Sequence, residues 1–265
     1  MKIALITGAS GGIGYELAKL FAQNGHNLIV VARSGPKLAQ FAGELRAKHG
    51  IGVTSMAVDL TLPNAPQSLF EDVQRSGVAV DVLVNNAGFG VMGEFANLPL
   101  LEDIGMMQLN MVALTVLTKL FLHSMLQRKA GRILNVASTA GFQPGPKMAV
   151  YYATKAYVIS FSEAIANELQ GSGVTVTCLC PGPTDTGFQR RAGTEQSALF
   201  QKFKPMDAQT VARDGYRGLM SGKTLVVSGF RNWLVAESVR FAPRKMVTAI
   251  SGKLMEQKPS SSSDS

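Results

Sequence analysis

A cluster of glycines, Thr7-Gly8-Ala9-Ser10-Gly11-Gly12-Ile13-Gly14, follows at once on the apolar run 3–6. No other feature restricts the fold of this chain as much. Four glycines in seven residues do not continue a strand, and a helical pattern begins at residue 13. The cluster is therefore read as a sharp turn from a buried strand into a helix. Missing side chains let such a backbone approach a pyrophosphate, and the helix N-terminus offers it free N–H groups. The spacing is Gly-x-x-x-Gly-x-Gly, carried by Gly8, Gly12 and Gly14. It predicts a dinucleotide site at the first turn, with Ser10 and Ile13 beside it.

The rest of the chain alternates in the same manner. Short aliphatic runs predict strands near 2–6, 27–31, 53–57, 81–84, 132–136, 174–180 and 224–227. Helices are expected near 13–24, 36–49, 66–76, 100–128, 149–170 and 207–221. Strands separated by helices pair in parallel through right-handed crossovers. The expected fold is α/β, a doubly wound, mostly parallel seven-stranded sheet of Rossmann type in one domain over residues 1–228. Nearly continuous apolar runs fit strands covered on both faces. The segment 183–206 breaks the alternation and is read as a substrate lid. Residues 229–258 form a basic amphipathic helical extension divided at Pro243, and 259–265 a disordered polar tail.

The end of the second strand bears on the cofactor. An NAD site places an acid there, about 20 residues past the glycines, against the ribose 2′-hydroxyl. This chain has Val30-Val31-Ala32-Arg33-Ser34. Arg33 suits a 2′-phosphate, with Lys37 near enough to help, so NADP is favoured over NAD. Asp59 reads equally well as an adenine contact or a loop cap.

Tyr151 and Lys155 are four residues apart on one helix face. Bringing a phenol from its reference pKa of about 10 to neutrality requires roughly 4 kcal/mol. An ammonium at ~4 Å in a partly screened site supplies up to about 4 kcal/mol. Tyr15 and Lys19 share the spacing but sit directly after Gly14 and are read as helix surface. Ser138 separates the two pairs. It follows the fifth strand, at the carboxyl edge where such sheets bind ligands. Asn110 lies mid-helix, a poor place for asparagine, and could anchor a water.

In this set the chain resembles the short-chain dehydrogenase/reductase family, in its single-domain branch, over roughly residues 2–228. The resemblance implies Tyr151 as general acid/base and Lys155 as the group that lowers its pKa and binds the nicotinamide ribose. It implies Ser138 as substrate orienter and Asn110 as holder of a relay water. Asn85, Ala87 and Gly88 look like the family's turn after strand 4, which steadies the sheet and touches the cofactor. Pro181, Gly182, Thr184 and Thr186 look like the segment meeting the carboxamide. Two positions depart from the pattern: Gly11, where many NADP-using members have a basic residue, and Thr184, where an aliphatic is common. The family also implies a homodimer or homotetramer.

Composition supports a soluble globular chain, 46% apolar and 17% charged over 265 residues. Cys178 and Cys180 share one face of a strand, so buried packing is expected. Scattered His26, His49 and His123 predict no metal site. No targeting segment is read, the apolar stretch 109–122 is taken as a buried helix, and a cytoplasmic address is expected. Phe89, Val91, Met92, Phe142, Met148 and Phe188 are candidate substrate walls, or simply core. Arg190 and Arg191 could attract an acidic part of a substrate.

Charge is uneven. Through residue 185, 13 Lys/Arg oppose 12 Asp/Glu; beyond it 13 oppose 6. A nucleic-acid partner is not expected, because no recognition motif accompanies this charge. The basic C-terminal segment packs on a partner subunit or the lid, or makes weak membrane-surface contact. The expected function is an NADP(H)-dependent oxidoreductase acting on a ketone, or the matching alcohol, of a hydrophobic small molecule. Alternatives are a 3-oxoacyl-thioester or steroid-type reductase, and a non-catalytic NADP-sensing protein.

Overall fold

A computed structural model describes residues 1–256. The expected tail at 259–265, and the last two residues of the C-terminal extension, lie outside the described residues.

The strands are β1 (Ile3–Thr7), β2 (Asn27–Ala32), β3 (Val53–Ala57), β4 (Val82–Asn85), β5 (Gly131–Val136) and β6 (Val174–Cys180), with β9 (Leu225–Val227) after the lid. They form one parallel sheet in the order β3-β2-β1-β4-β5-β6-β9. The strand order reverses between β1 and β4, which opens a crevice at the carboxyl ends of these strands.

Alternation within each strand builds two cores. Ala4, Ile6, Leu28, Val30, Val82 and Val84 face α1 (Gly12–Gln23), α2 (Gly35–His49) and α9 (Ala208–Met220). Leu5, Ile29, Val31 and Leu83 face α3 (Ala65–Arg75) and α5 (Leu114–Gln127). Both parities are therefore apolar, and the strands read as unbroken runs.

Helix 100–127 differs from expectation in two ways. It consists of α4 (Leu100–Met107), a π segment (Gln108–Ala113) and α5. By length and composition it could cross a membrane, yet Leu117, Phe121 and Met125 are packed on the sheet. Its other side leaves Leu100, Leu101, Ile104, Val112 and Leu126 exposed. The expected buried helix is thus buried on one face only.

The insertion at 183–206 is more ordered than a loop. Two short parallel strands, β7 (Thr184–Asp185) and β8 (Met206–Asp207), bring its ends together, pairing Thr184 with Met206. Between them stand α7 (Phe188–Ala192) and α8 (Ala198–Lys202). After β9 come α10 (Phe230–Ser238), a 3₁₀ turn (Val239–Phe241) and α11 (Arg244–Leu254). The break falls at Pro243, whose ring favours a helix start over a helix interior. Ala198 N–H donates to the Glu256 carbonyl at 3.0 Å, tying the insertion to the end of α11.

Candidate active site

The crevice is the mouth of a cleft of about 1030 Å³. That is the upper end of the roughly 300–1,000 Å³ range of ligand sites. At one end lies the glycine turn. Gly8 and Gly12 have φ of +68° and +57°, the left-handed region that suits glycine. A Cβ on Gly8 would stand 2.9 Å from the Ala87 Cα, while one on Gly11 would meet nothing within 4 Å. No side chain caps the N-terminus of α1. Its first N–H groups thus point to the cleft from a backbone that a phosphate can approach. The residues fit a dinucleotide.

Gly14 does another job. A Cβ there would strike Asn86 and the Gly8 carbonyl, so its lack of a side chain serves packing and it does not line the cleft. Asn86, which the sequence reading passed over, holds the turn: its Nδ2 donates to Thr7 O at 2.9 Å and Gly8 O at 3.3 Å. Asn85 needs correction as a cofactor contact. Its Nδ2 donates to Thr118 Oγ1 and Asn135 Oδ1, both at 2.9 Å, inside the protein. Strand parity explains this: residue 85 points with Leu83 toward α5, away from the cleft.

Arg33 is exposed and lines the cleft with Asp59; Lys37 does not line it. Asp59 Oδ1 accepts from Thr61 N–H at 3.0 Å and Thr61 Oγ1 at 2.7 Å. Burial pushes this carboxyl up, but the Thr61 bonds and the Arg33 charge outweigh it and leave it below its ordinary value. Tyr15 and Lys19 do not line the cleft: Tyr15 is half-buried, packed on the core and stacked on Phe41, and Lys19 pairs with Glu16 at 3.0 Å.

Ser138, Tyr151 and Lys155 meet in the middle of the cleft, beside Gly88, Ala87 and the segment Pro181, Gly182, Thr184 and Thr186. Tyr151 and Lys155 project from α6 (Ala149–Glu168) and are both buried. Ser138 ends the segment after β5, its Oγ accepting from Ala140 N–H at 3.1 Å. Lys155 Nζ donates to Val136 O at 2.9 Å and stands 5.8 Å from the Tyr151 ring centre.

The electrostatics here differ from expectation. Burial pushes the Tyr151 phenol well above its ordinary value, opposed by a hydrogen bond with Ser138. The ammonium flanks the ring and spends one proton on Val136, so desolvation dominates. Burial also pushes Lys155 down, to about 8. Near neutrality the pair is therefore a neutral phenol beside a cationic lysine.

Asn110 lies in the π segment, behind the cleft wall. Its Nδ2 donates to Phe89 O at 2.9 Å and Thr154 Oγ1 at 3.1 Å, and its Oδ1 accepts from Phe89 N–H at 3.1 Å. Both amide donors are spent on protein, which leaves this side chain none to offer a water. A π segment widens the helix at a functional place, and here it aims Asn110 at the turn after β4.

Phe89, Met148 and Phe188 line the cleft, as does Arg191, which lies over the Phe89 ring and pairs with Glu102 at 3.1 Å. Val91 and Met92 pack behind the wall, Phe142 joins another cluster, and Arg190 lies outside the cleft. Sequence reading missed the walls from the second half of the 183–206 insertion and from the C-terminal helices, among them Phe200, Phe203, Val235, Leu254 and Met255. No group of His, Cys, Asp and Glu among the described residues could hold a metal ion.

The family model for short chain dehydrogenase matches residues 2–197. A ketoacyl reductase, HetN, from Nostoc sp. is 37% identical over 68% of this chain, and the match spans 63% of that protein's length. A very-long-chain 3-oxoacyl-CoA reductase from Pyrenophora tritici-repentis is 32% identical over 93% of this chain and 74% of its own. Among solved structures, a short-chain dehydrogenase from Sphingobium yanoikuyae in complex with NADPH superposes with a TM-score of 0.82 at 30% identity, covering 91% of this chain and 94% of that one. Sheet, glycine turn and family match agree: the chain belongs to the short-chain dehydrogenase family of oxidoreductases.

Proposed function

We propose that this chain is an NADP(H)-dependent reductase of a ketone on a hydrophobic substrate, run in reverse on the matching secondary alcohol. One observation carries the reading: Ser138, Tyr151 and Lys155 meet in the same cleft as the glycine turn and Arg33. When bound, the reduced dinucleotide supplies hydride to the carbonyl carbon. Gly8, Ser10, Gly12 and Ile13 would hold its phosphates, with Arg33 at the 2′-phosphate.

The chain's own residues manage the proton. Tyr151, kept neutral by burial, donates its proton to the carbonyl oxygen. Ser138 hydrogen-bonds the same oxygen and orients the carbonyl. Lys155, cationic below about pH 8, favours the tyrosinate left behind. Asn110 is a positioning residue, because it clamps Phe89 and Thr154 on either side of the site.

The substrate class proposed is a long-chain 3-oxoacyl thioester. The names of the two curated relatives support it, and so do the apolar walls from lid and C-terminus. Arg191, Lys204 and Arg231 line the same cleft and suit the phosphates of a thioester carrier. The test follows absorbance at the reduced nicotinamide band with 3-oxoacyl thioesters of rising chain length, simple ketones and steroid ketones. NADPH oxidation that quickens with chain length is expected. Absence of oxidation with every ketone would overturn the reading.

The exposed apolar side of α4 and α5, continued by Tyr157 and Phe161 on α6, is proposed as a dimer face. Light scattering should give twice the monomer mass, falling to the monomer in Val112→Arg.

A further inference from the structure

The C-terminal segment exposes large apolar side chains, of which Phe230 and Val235 also line the cleft and the others do not. On α10, Phe230, Trp233 and Leu234 fall at i, i+3 and i+4 and so share a face. Phe230 is 74% exposed and stacks on Trp233 with ring centres 5.8 Å apart. The following turn presents Phe241, 88% exposed, and α11 adds Met246 and Ile250, one helical turn apart. Large apolar side chains exposed at this density along one segment mark an interaction surface.

The charges around them say what kind. Between Phe230 and Leu254 the chain carries Arg231, Arg240, Arg244, Lys245 and Lys253 against one carboxylate, Glu237. This stretch alone carries half of the chain's net charge of +8. A second copy is a poor occupant, since a two-fold interface sets a patch against itself and would oppose cation to cation. Nucleic acid would take the cations but leave the row of aliphatic and aromatic tips without a use. An anionic lipid surface takes both, apolar tips into the acyl boundary and cations against headgroups.

We infer that α10, the turn Val239–Phe241 and α11 form a docking surface for an anionic membrane. The same segment walls the cleft with Phe230, Val235 and Leu254. Docking therefore sets the cleft against the bilayer surface, where a long apolar substrate enters without crossing water. That last step rests on the reductase reading; the docking itself does not.

The experiment uses the full chain with NADPH and extruded vesicles, either phosphatidylcholine alone or doped with phosphatidylglycerol. Trp233 is the only tryptophan, so its emission reports the patch directly. Expected are sedimentation with the doped vesicles at low salt, a blue shift of emission, and little binding to phosphatidylcholine alone. Arg240→Glu/Arg244→Glu/Lys245→Glu should weaken binding at least about tenfold, as should Trp233→Ser/Phe241→Ser. Both variants should keep wild-type circular dichroism and NADPH oxidation with a short soluble 3-oxoester. No sedimentation at low salt overturns the inference. So does sedimentation with unchanged emission, a fall in oligomer mass in Trp233→Ser/Phe241→Ser, or a blue shift given by duplex DNA in place of vesicles. Vesicle binding by a chain that oxidises NADPH with no ketone would instead sink the reductase reading and leave the surface standing.

Discussion

Lys155 Nζ is held by the Val136 carbonyl at 2.9 Å and flanks the ring of Tyr151 at 5.8 Å from its centre. The main chain of β5 thus fixes where the cation stands. Because burial pushes Lys155 down to about 8, its charge is lost at mildly alkaline pH. The rate of ketone reduction should therefore fall as pH rises through about 8. Stability should move the other way. The native lysine binds fewer protons than the unfolded one between about 8 and its ordinary value of 10.5. The cost of burying the charge is present below that window and relieved as pH rises through it. A pH profile of single-turnover rates, set beside denaturant midpoints, checks both directions.

Arg33 lines the cleft at the end of β2, with no acid beside it on that strand. Replacing it with Ala should weaken NADPH by about 10- to 100-fold, the value of a charge-assisted contact of ~1.5–3 kcal/mol. NADH binding should change less than threefold. Titration of both coenzymes by fluorescence checks this, and equal losses would remove the 2′-phosphate assignment.

Asn86 ties β4 to the glycine turn through Thr7 O and Gly8 O. Asn86→Ala should lower stability by about 1–3 kcal/mol, since it strands partly buried carbonyls. It should also raise the NADPH dissociation constant, because the turn loses its brace. Urea midpoints and coenzyme titration read the two effects separately.

The sheet was legible because burial on both faces leaves long aliphatic runs in the central strands, as in Leu28-Ile29-Val30-Val31. That Tyr151, Lys155 and Ser138 share one cleft was legible because each sits at a predictable edge or spacing. That Asn85 steadies the sheet and does not face the cleft had a signal in the sequence: Leu83 and Asn85 share parity and therefore a face. The raised phenol was not legible, since desolvation depends on how much protein surrounds a group. Nor were the walls given by Phe200, Val235 and Met255, which depend on where the lid and C-terminus fold back. The π segment has no pattern that separates it from α-helix at Gln108–Ala113.

The central claim is that the buried phenol of Tyr151 is the proton donor in ketone reduction. The direct test is a single-turnover measurement of NADPH oxidation by wild type and Tyr151→Phe on one ketone, with NADPH binding measured in the same samples. The account predicts NADPH affinity within about threefold of wild type and a rate lower by roughly 10²–10⁴-fold, the range for a lost general acid. A Tyr151→Phe enzyme that binds NADPH and reduces the ketone at the wild-type rate would contradict it.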